Sequence, residues 1–304
     1  MTTTTFHFEH PANDAAAAQI CSCMICTRHP ENLGDAREWW GFPRHDRGGR
    51  LGYICPDCKE QMARYSASND TVAGKRANVK GDTVSTELET HIHPGRAVEA
   101  RGHLMSVGFL PSRDATTEIE FKSPIWVSFN QPIAIFGKKS ENSMVQKLIA
   151  DGVIYIAESD GAHINIGRQV KSEMLELLEI IRDTVTYRKV FAPLTSVLEN
   201  ERELTEKLFG RYFNMWAEEI DCWAYPDIKY NWVNVLHDTH VEYRLPKYKN
   251  GKQYAECIRC CREFNQVMFT WLVGKAKYGE VADKHIEKCA NRLIEVFYDH
   301  ARKL

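Results

Sequence analysis

No apolar run in this chain approaches the ~18–20 residues that span a bilayer, so a membrane protein is not expected. The opening residues, Met1-Thr2-Thr3-Thr4-Thr5, lack the charged and apolar regions of a secretory leader, and the expected setting is the cytoplasm. Charge of one sign is also scarce. The formal net charge of −2 is too balanced for a protein that coats nucleic acid with its whole surface, although it leaves room for a local basic patch. There is no Gly-x4-Gly-Lys-Ser/Thr loop, so any bound nucleotide is not held by a P-loop. No internal repeat is visible, and a Cys or Ser nucleophile triad has no support beyond composition.

What is present is enough for one large domain and one small one: 304 residues, 43% of them hydrophobic, can bury a sizeable core. Residues 1–20, with their threonines and the run Ala15 to Ala18, read as a disordered lead. Residues 21–65 form a cysteine-bearing module. Residues 66–82 are small, polar and locally basic (Gly74-Lys75-Arg76, Lys80-Gly81-Asp82) and read as a linker. Residues 83–304 form the large domain.

Ten cysteines in a chain of this kind read as metal ligands and free thiols rather than a disulfide framework. Cys23-x2-Cys26 and Cys55-x2-Cys58 are two knuckles, each able to bite one metal through a tight turn; together they complete a tetrahedral zinc site of structural type. A closed four-thiolate site leaves no open position for chemistry. Cys21 is a fifth thiol nearby: a spare, an alternative ligand, or unpaired. Trp39-Trp40-Gly41-Phe42, with Arg44, Arg47 and Arg50, has two readings: the small core of this zinc-ribbon-like module, or a surface that stacks bases and holds phosphates. Cys257-x2-Cys260-Cys261 imitates a knuckle but lies in a helical pattern, where such thiols belong to a core.

The large domain opens with an expected strand at 83–92, followed by a helix or loop at 94–107 and a strand at 117–122. A helix is expected from Ser140 to Asp151, then a short strand at Val153–Glu158 with His163–Gly167 as its partner. The spacing of Met174, Leu175, Leu177, Leu178 and Ile181 predicts an amphipathic helix from Lys171 to about Tyr187. Pro193 is expected to open another helix reaching about Glu219. Two strands around His237-Asp238 fill 230–245, and helices at Glu256–Lys275 and Ala282–His300 close the chain. The fold class is α+β: an antiparallel sheet with helices packed on one side.

Residues i and i+2 of a strand share a face, so Glu87 and Glu89 point one way, as do Glu118 and Glu120. Carboxylates gathered on one side of a sheet need a positive neutraliser, and hard oxygen ligands suit Mg²⁺ carrying a nucleotide phosphate. His91-x-His93 shares the face of Glu87 and Glu89 and is a weaker transition-metal candidate.

Four stretches in order resemble the amidoligase family, ATP-dependent carboxylate–amine ligases of the glutamine synthetase and glutamate–cysteine ligase fold. Glu87-Leu88-Glu89 matches the acids of a G-x-E-x-E strand without its glycine. The run from Asp114 through Glu118-Ile119-Glu120 to Ser123-Pro124 is similar to an acidic turn leading to an E-I-x-S-P strand. Gly161-Ala162-His163-Ile164-Asn165 keeps the first histidine of G-x-H-x-H and replaces the second by asparagine. Asn234 through Glu242-Tyr243-Arg244 matches an N…E-[FY]-R hairpin. The resemblance covers residues 84–270 and leaves the cysteine module outside.

It implies a catalytic set of Glu87, Glu118, His163, Glu242 and Arg244. Glu89, Glu118 and Glu242 would hold Mg²⁺, and Arg244 would meet the γ-phosphate of ATP. Glu120, Asn165, Asn234, Arg202 and Arg211 would line the nucleotide and substrate site. The implied activity joins a carboxylate to an amine through an acyl phosphate, on small or macromolecular substrates. A rival reading is a non-catalytic recognition protein on a degenerate ligase fold, its zinc module binding nucleic acid or a protein; Asn165 and the missing glycine motivate it. A weaker rival is a two-metal nuclease.

Overall fold

A computed structural model describes residues 40–43, 51–56, 82–106, 109–112, 119–123, 125–126, 132, 135–136, 143–168, 170–215, 217–220 and 225–304. Before residue 82 these are the hairpin β1 (Trp40–Pro43) and β2 (Leu51–Ile54), followed by the buried Cys55 and by Pro56. Cys23, Cys26 and Cys58 lie outside the described residues, as do the lead, almost all of the linker, Asp114 and Glu118.

From Asp82 onward the described residues are α+β, built on an antiparallel sheet. Its strands are β3 (Asp82–Ile92), β4 (Leu110–Ser112), β5 (Ile119–Lys122), β6 (Ile154–Tyr155), β7 (Ala162–Arg168), β8 (Val233–Asn234) and β9 (His240–Tyr243). The spatial order is β4-β5-β3-β7-β9-β8, with β6 pairing the end of β3. The helices are α1 (Ala97–Ser106), α2 (Met144–Ala150), α3 (Lys171–Ile181), α4 (Thr184–Asn200), α5 (Arg202–Phe209), α6 (Gly251–Trp271) and α7 (Asp283–Ala301).

Strict alternation explains why the sheet has two unlike faces. On β3, Val84, Thr86, Leu88, Thr90 and Ile92 are buried on one side, while Ser85, Glu87, Glu89 and His91 take the other. Ala162, Ile164 and Ile166 of β7 and Val241 and Tyr243 of β9 continue the apolar side. Helix α6 lies against it: the Tyr254 hydroxyl donates to the Ala162 carbonyl at 3.1 Å, and the Phe264 ring sits 6.1 Å from that of Tyr243. Asn265 and Gln266, at 3.4 and 3.1 Å, satisfy the buried Asp82 at the start of β3. Helix α4 is tied to β8 by the Tyr187 hydroxyl on the Val233 carbonyl (2.7 Å). Phe209 of α5 stacks on Phe297 of α7, closing the helical layer.

Three differences from the sequence reading stand out. The helix starting at Lys171 stops at Ile181, because the Asp183 carboxylate accepts the Thr186 N–H at 2.9 Å and caps a new helix. Pro193 does not open a helix but lies inside α4, on its exposed side, where the carbonyl it leaves unbonded can reach water. The chain then breaks at Glu201. Helix α5 ends at Phe209, far short of Glu219, where Gly210 with a φ of 83° supplies the left-handed cap. The third difference is β6, which pairs with β3 (His91 opposite Tyr155) rather than with β7. Cys257, Cys260 and Cys261 are buried in α6, as expected for core thiols.

Candidate metal centre on the polar sheet face

The face turned away from α6 carries the chemistry. Residues directly opposite in an antiparallel pair share a face, and the register sets Lys122 against Glu87, Glu87 against His163, Asn165 against Glu242, and Asn234 against Glu242. Five strands thus bring polar side chains together from positions up to 155 residues apart between Glu87 and Glu242, while their alternate neighbours fill the core.

At the centre is His163, 3% exposed. Its Nδ1 lies 3.1 Å from Glu242 Oε1 and 3.8 Å from Glu87 Oε2, and its Nε2 lies 3.6 Å from Glu89 Oε1. Neither ring nitrogen makes an aligned hydrogen bond, and the Asn165 Oδ1 is also buried without a partner. One ligand atom each from Glu87, His163 and Glu242 lie within 4.8 Å of one another. Two carboxylate oxygens, an imidazole nitrogen and unspent buried polar atoms fit a divalent cation. The mixed donor set suits Mn²⁺ as well as Mg²⁺.

The surrounding groups hold these ligands in place. Asn165 donates to Glu87 Oε1 at 3.1 Å. Glu242 receives Asn234 Nδ2 (2.6 Å), Arg244 Nη1 (2.7 Å) and the His237 ring (3.2 Å). Lys122 Nζ is 3.3 Å from Glu120 Oε2 and 3.7 Å from Glu87 Oε2. Glu89 accepts the backbone N–H of Gly161. Gly161 is required by close approach: a Cβ there would sit 2.9 Å from His163 Nε2 and 3.1 Å from Arg211 Nη2. Arg211 is buried and spends its guanidinium on the carbonyls of Arg244, Leu245 and Ser159, clamping the Gly161 approach to the end of β9.

Electrostatics follow from this packing. Burial works against the charged form of His163, but Glu242 and Glu87 overcome it and raise the imidazole to about 9. Burial likewise opposes ionisation of Glu87 and Glu242. His163 and Lys122 nevertheless hold Glu87 well below the usual carboxylate range, and His163, His237 and Arg244 do the same for Glu242. Burial lowers Arg211 to about 10. The ring of His240, stacked on His237 at 4.4 Å, falls to about 4 through burial and the neighbouring His237.

Of the residues singled out by sequence, Glu87, Glu89, Glu120, His163, Asn165, Asn234, Glu242 and Arg244 meet on one face, with Arg211 behind its edge. Arg202 stands apart: it is exposed, bonded to Glu206 at 2.8 Å and laid over Tyr212. His91 pairs with the buried Asp160 at 3.1 Å and stacks on Tyr155. Lys122 and His237 were missed. Lys122 carried a signal, since it lies two residues beyond Glu120 and so on the same face; His237 lies in a turn and carried none. Compared with known proteins, the chain matches no family model and no curated protein.

Proposed function

We propose that this chain is an ATP-dependent carboxylate–amine ligase that uses a divalent metal, forming an amide through an acyl phosphate. The observation that carries the reading is the convergence of Glu87, His163 and Glu242 ligand atoms within 4.8 Å, with Arg244 bound to Glu242 at 2.7 Å. Amide formation from a carboxylate needs activation, and the phosphates involved need cations held in a fixed, water-poor geometry. Glu87, His163 and Glu242 would hold the metal. Bound there, the ion would neutralise nucleotide phosphate and polarise the transferring group. Arg244 is a permanently charged, planar donor suited to a phosphate oxygen, and the Glu242 carboxylate orients it. Asn234 and His237 fix the second oxygen of Glu242, while the first meets both Arg244 and His163. Glu89, held by the Gly161 N–H, presents charge that suits an incoming ammonium group. Arg211 keeps the 159–161 segment and the end of β9 together.

The test is phosphate and ADP release from Mg-ATP by the purified full chain with pooled carboxylates and amines, comparing the wild type with Glu242→Gln and Arg244→Ala. Loss of at least 100-fold in both is expected. Unchanged turnover in both removes the mechanism. Absence of Mg-ATP binding by calorimetry, together with nucleic-acid binding that weakens steeply with salt, would favour the recognition-protein reading instead.

A further inference from the structure

The polar row of β3 runs on past Glu87 and Glu89 to His91. One turn serves both Glu89 and this histidine. Gly161 gives its N–H to Glu89, and the residue before it, Asp160, places a carboxylate oxygen 3.1 Å from His91 Nδ1. Asp160 is buried, and among the described residues His91 is its one side-chain hydrogen-bond partner; the Ala157 N–H meets the same oxygen at 2.7 Å. The turn is itself held. Lys247 Nζ donates to the carbonyls of Ala157 and Glu158 at 2.8 Å each, and Arg211 Nη1 donates to that of Ser159 at 3.4 Å. The imidazole is also stacked on Tyr155, directly opposite on β6, at 5.0 Å. A buried carboxylate on one ring nitrogen selects the tautomer with its proton there and leaves the other nitrogen as an acceptor. Among the described residues nothing bonds His91 Nε2, and the side chain is 24% exposed, so a ligand can reach it.

We propose that His91 Nε2 receives an N–H of the amine substrate, and that Asp160 is the positioning residue that keeps it an acceptor. This deepens the proposed function and rests on it. Residues i and i+2 of a strand lie about 7 Å apart, so a nitrogen seated between Glu89 and His91 can touch both. Having given one proton to solvent, that nitrogen turns its lone pair to the acyl carbon. A primary amine then has two hydrogens left, one for Glu89 and one for His91; a secondary amine has only one. The C–N bond forms as the C–O bond to phosphate breaks, the electron pair leaving with phosphate. One nitrogen hydrogen stays in the amide and the other goes to the departing phosphate. The pair of acceptors therefore selects ammonia or a primary amine.

The experiment uses the full-length chain. Nuclear magnetic resonance of isotope-labelled histidine reads the His91 tautomer, its signal assigned by its loss in His91→Asn. Hydroxamate formation from Mg-ATP, pooled carboxylates and hydroxylamine gives KM and kcat, with N-methylhydroxylamine as the secondary comparator. Circular dichroism checks that the variants are folded. In wild type the proton is expected on Nδ1, with Nε2 bare; Asp160→Ala should mix the tautomers. His91→Asn can still donate to Asp160 but has no acceptor at the Nε2 position, so KM for hydroxylamine should rise about tenfold or more while KM for ATP is unchanged. A proton on Nε2 in wild type, an unchanged KM in His91→Asn, or equal use of N-methylhydroxylamine overturns the inference and leaves the ligase reading standing. No hydroxamate from wild type removes both together.

Discussion

His163 holds a proton that a metal at the proposed site would have to displace. With its imidazole raised to about 9 by Glu242 and Glu87, the ring carries that proton at neutral pH. Metal binding competes with it, so affinity should climb as pH rises toward 9 and fall by about tenfold for each unit below. Calorimetry in buffers of differing ionisation enthalpy should find about one proton released per Mn²⁺ near pH 7; release of none would refute the competition. Gly161 makes a second prediction at this scale. Gly161→Ala pushes a methyl group against the His163 ring and the Arg211 guanidinium. It should cost about 1–3 kcal/mol by urea denaturation and weaken Mn²⁺ binding, because the two crowded groups belong to the site and its clamp. The glycine and the histidine were legible as a Gly-x-His strand. What the glycine must avoid was not, because Arg211 arrives from 50 residues downstream.

Among the elements, the strands were the most legible and the helix boundaries the least. Glu87 and Glu89, and Glu242 and Arg244, announce themselves through a period of two, and a strand has no other way to show a polar face. Neighbour relations leave no such trace. Nothing in Ile154-Tyr155 tells whether it joins β3 or β7, and that choice is made by long-range packing. The apolar rhythm of α3 runs on through Arg182 into α4, which hid a break made by one carboxylate. Asp183→Ala should therefore destabilise the protein by about 1 kcal/mol through the lost cap, seen as a shift in the urea midpoint with an unchanged slope. An equal midpoint would mean that packing of Tyr187 and Phe191 alone sets the start of α4.

For the molecule as a whole, the closing helices are joined by a buried polar seam. His300 of α7 sits 2.6 Å from Glu256 Oε1 and 3.0 Å from Glu263 Oε2 on α6, while Arg259 donates to Glu256 at 2.6 Å. His300 above all, with Arg259, depresses Glu256 from 4.5 to about 2 against the effect of burial. A carboxylate whose value is lowered on folding contributes stability that is fully present above 4.5 and is lost as pH falls toward 2. Glu256→Gln should lower Tm at neutral pH and flatten its decline between pH 4.5 and 2; a parallel decline would show that other carboxylates govern acid unfolding.

The alternation along β3, β7 and β9 has one more outcome. A slip of a single residue in any of these pairings would turn Glu87, His163 or Glu242 toward α6 and expose leucine, isoleucine or tyrosine in its stead. Correct threading and a competent ligand set are thus one event, and an ion taken up during refolding would serve as a proofreading signal that every strand has found its proper partner.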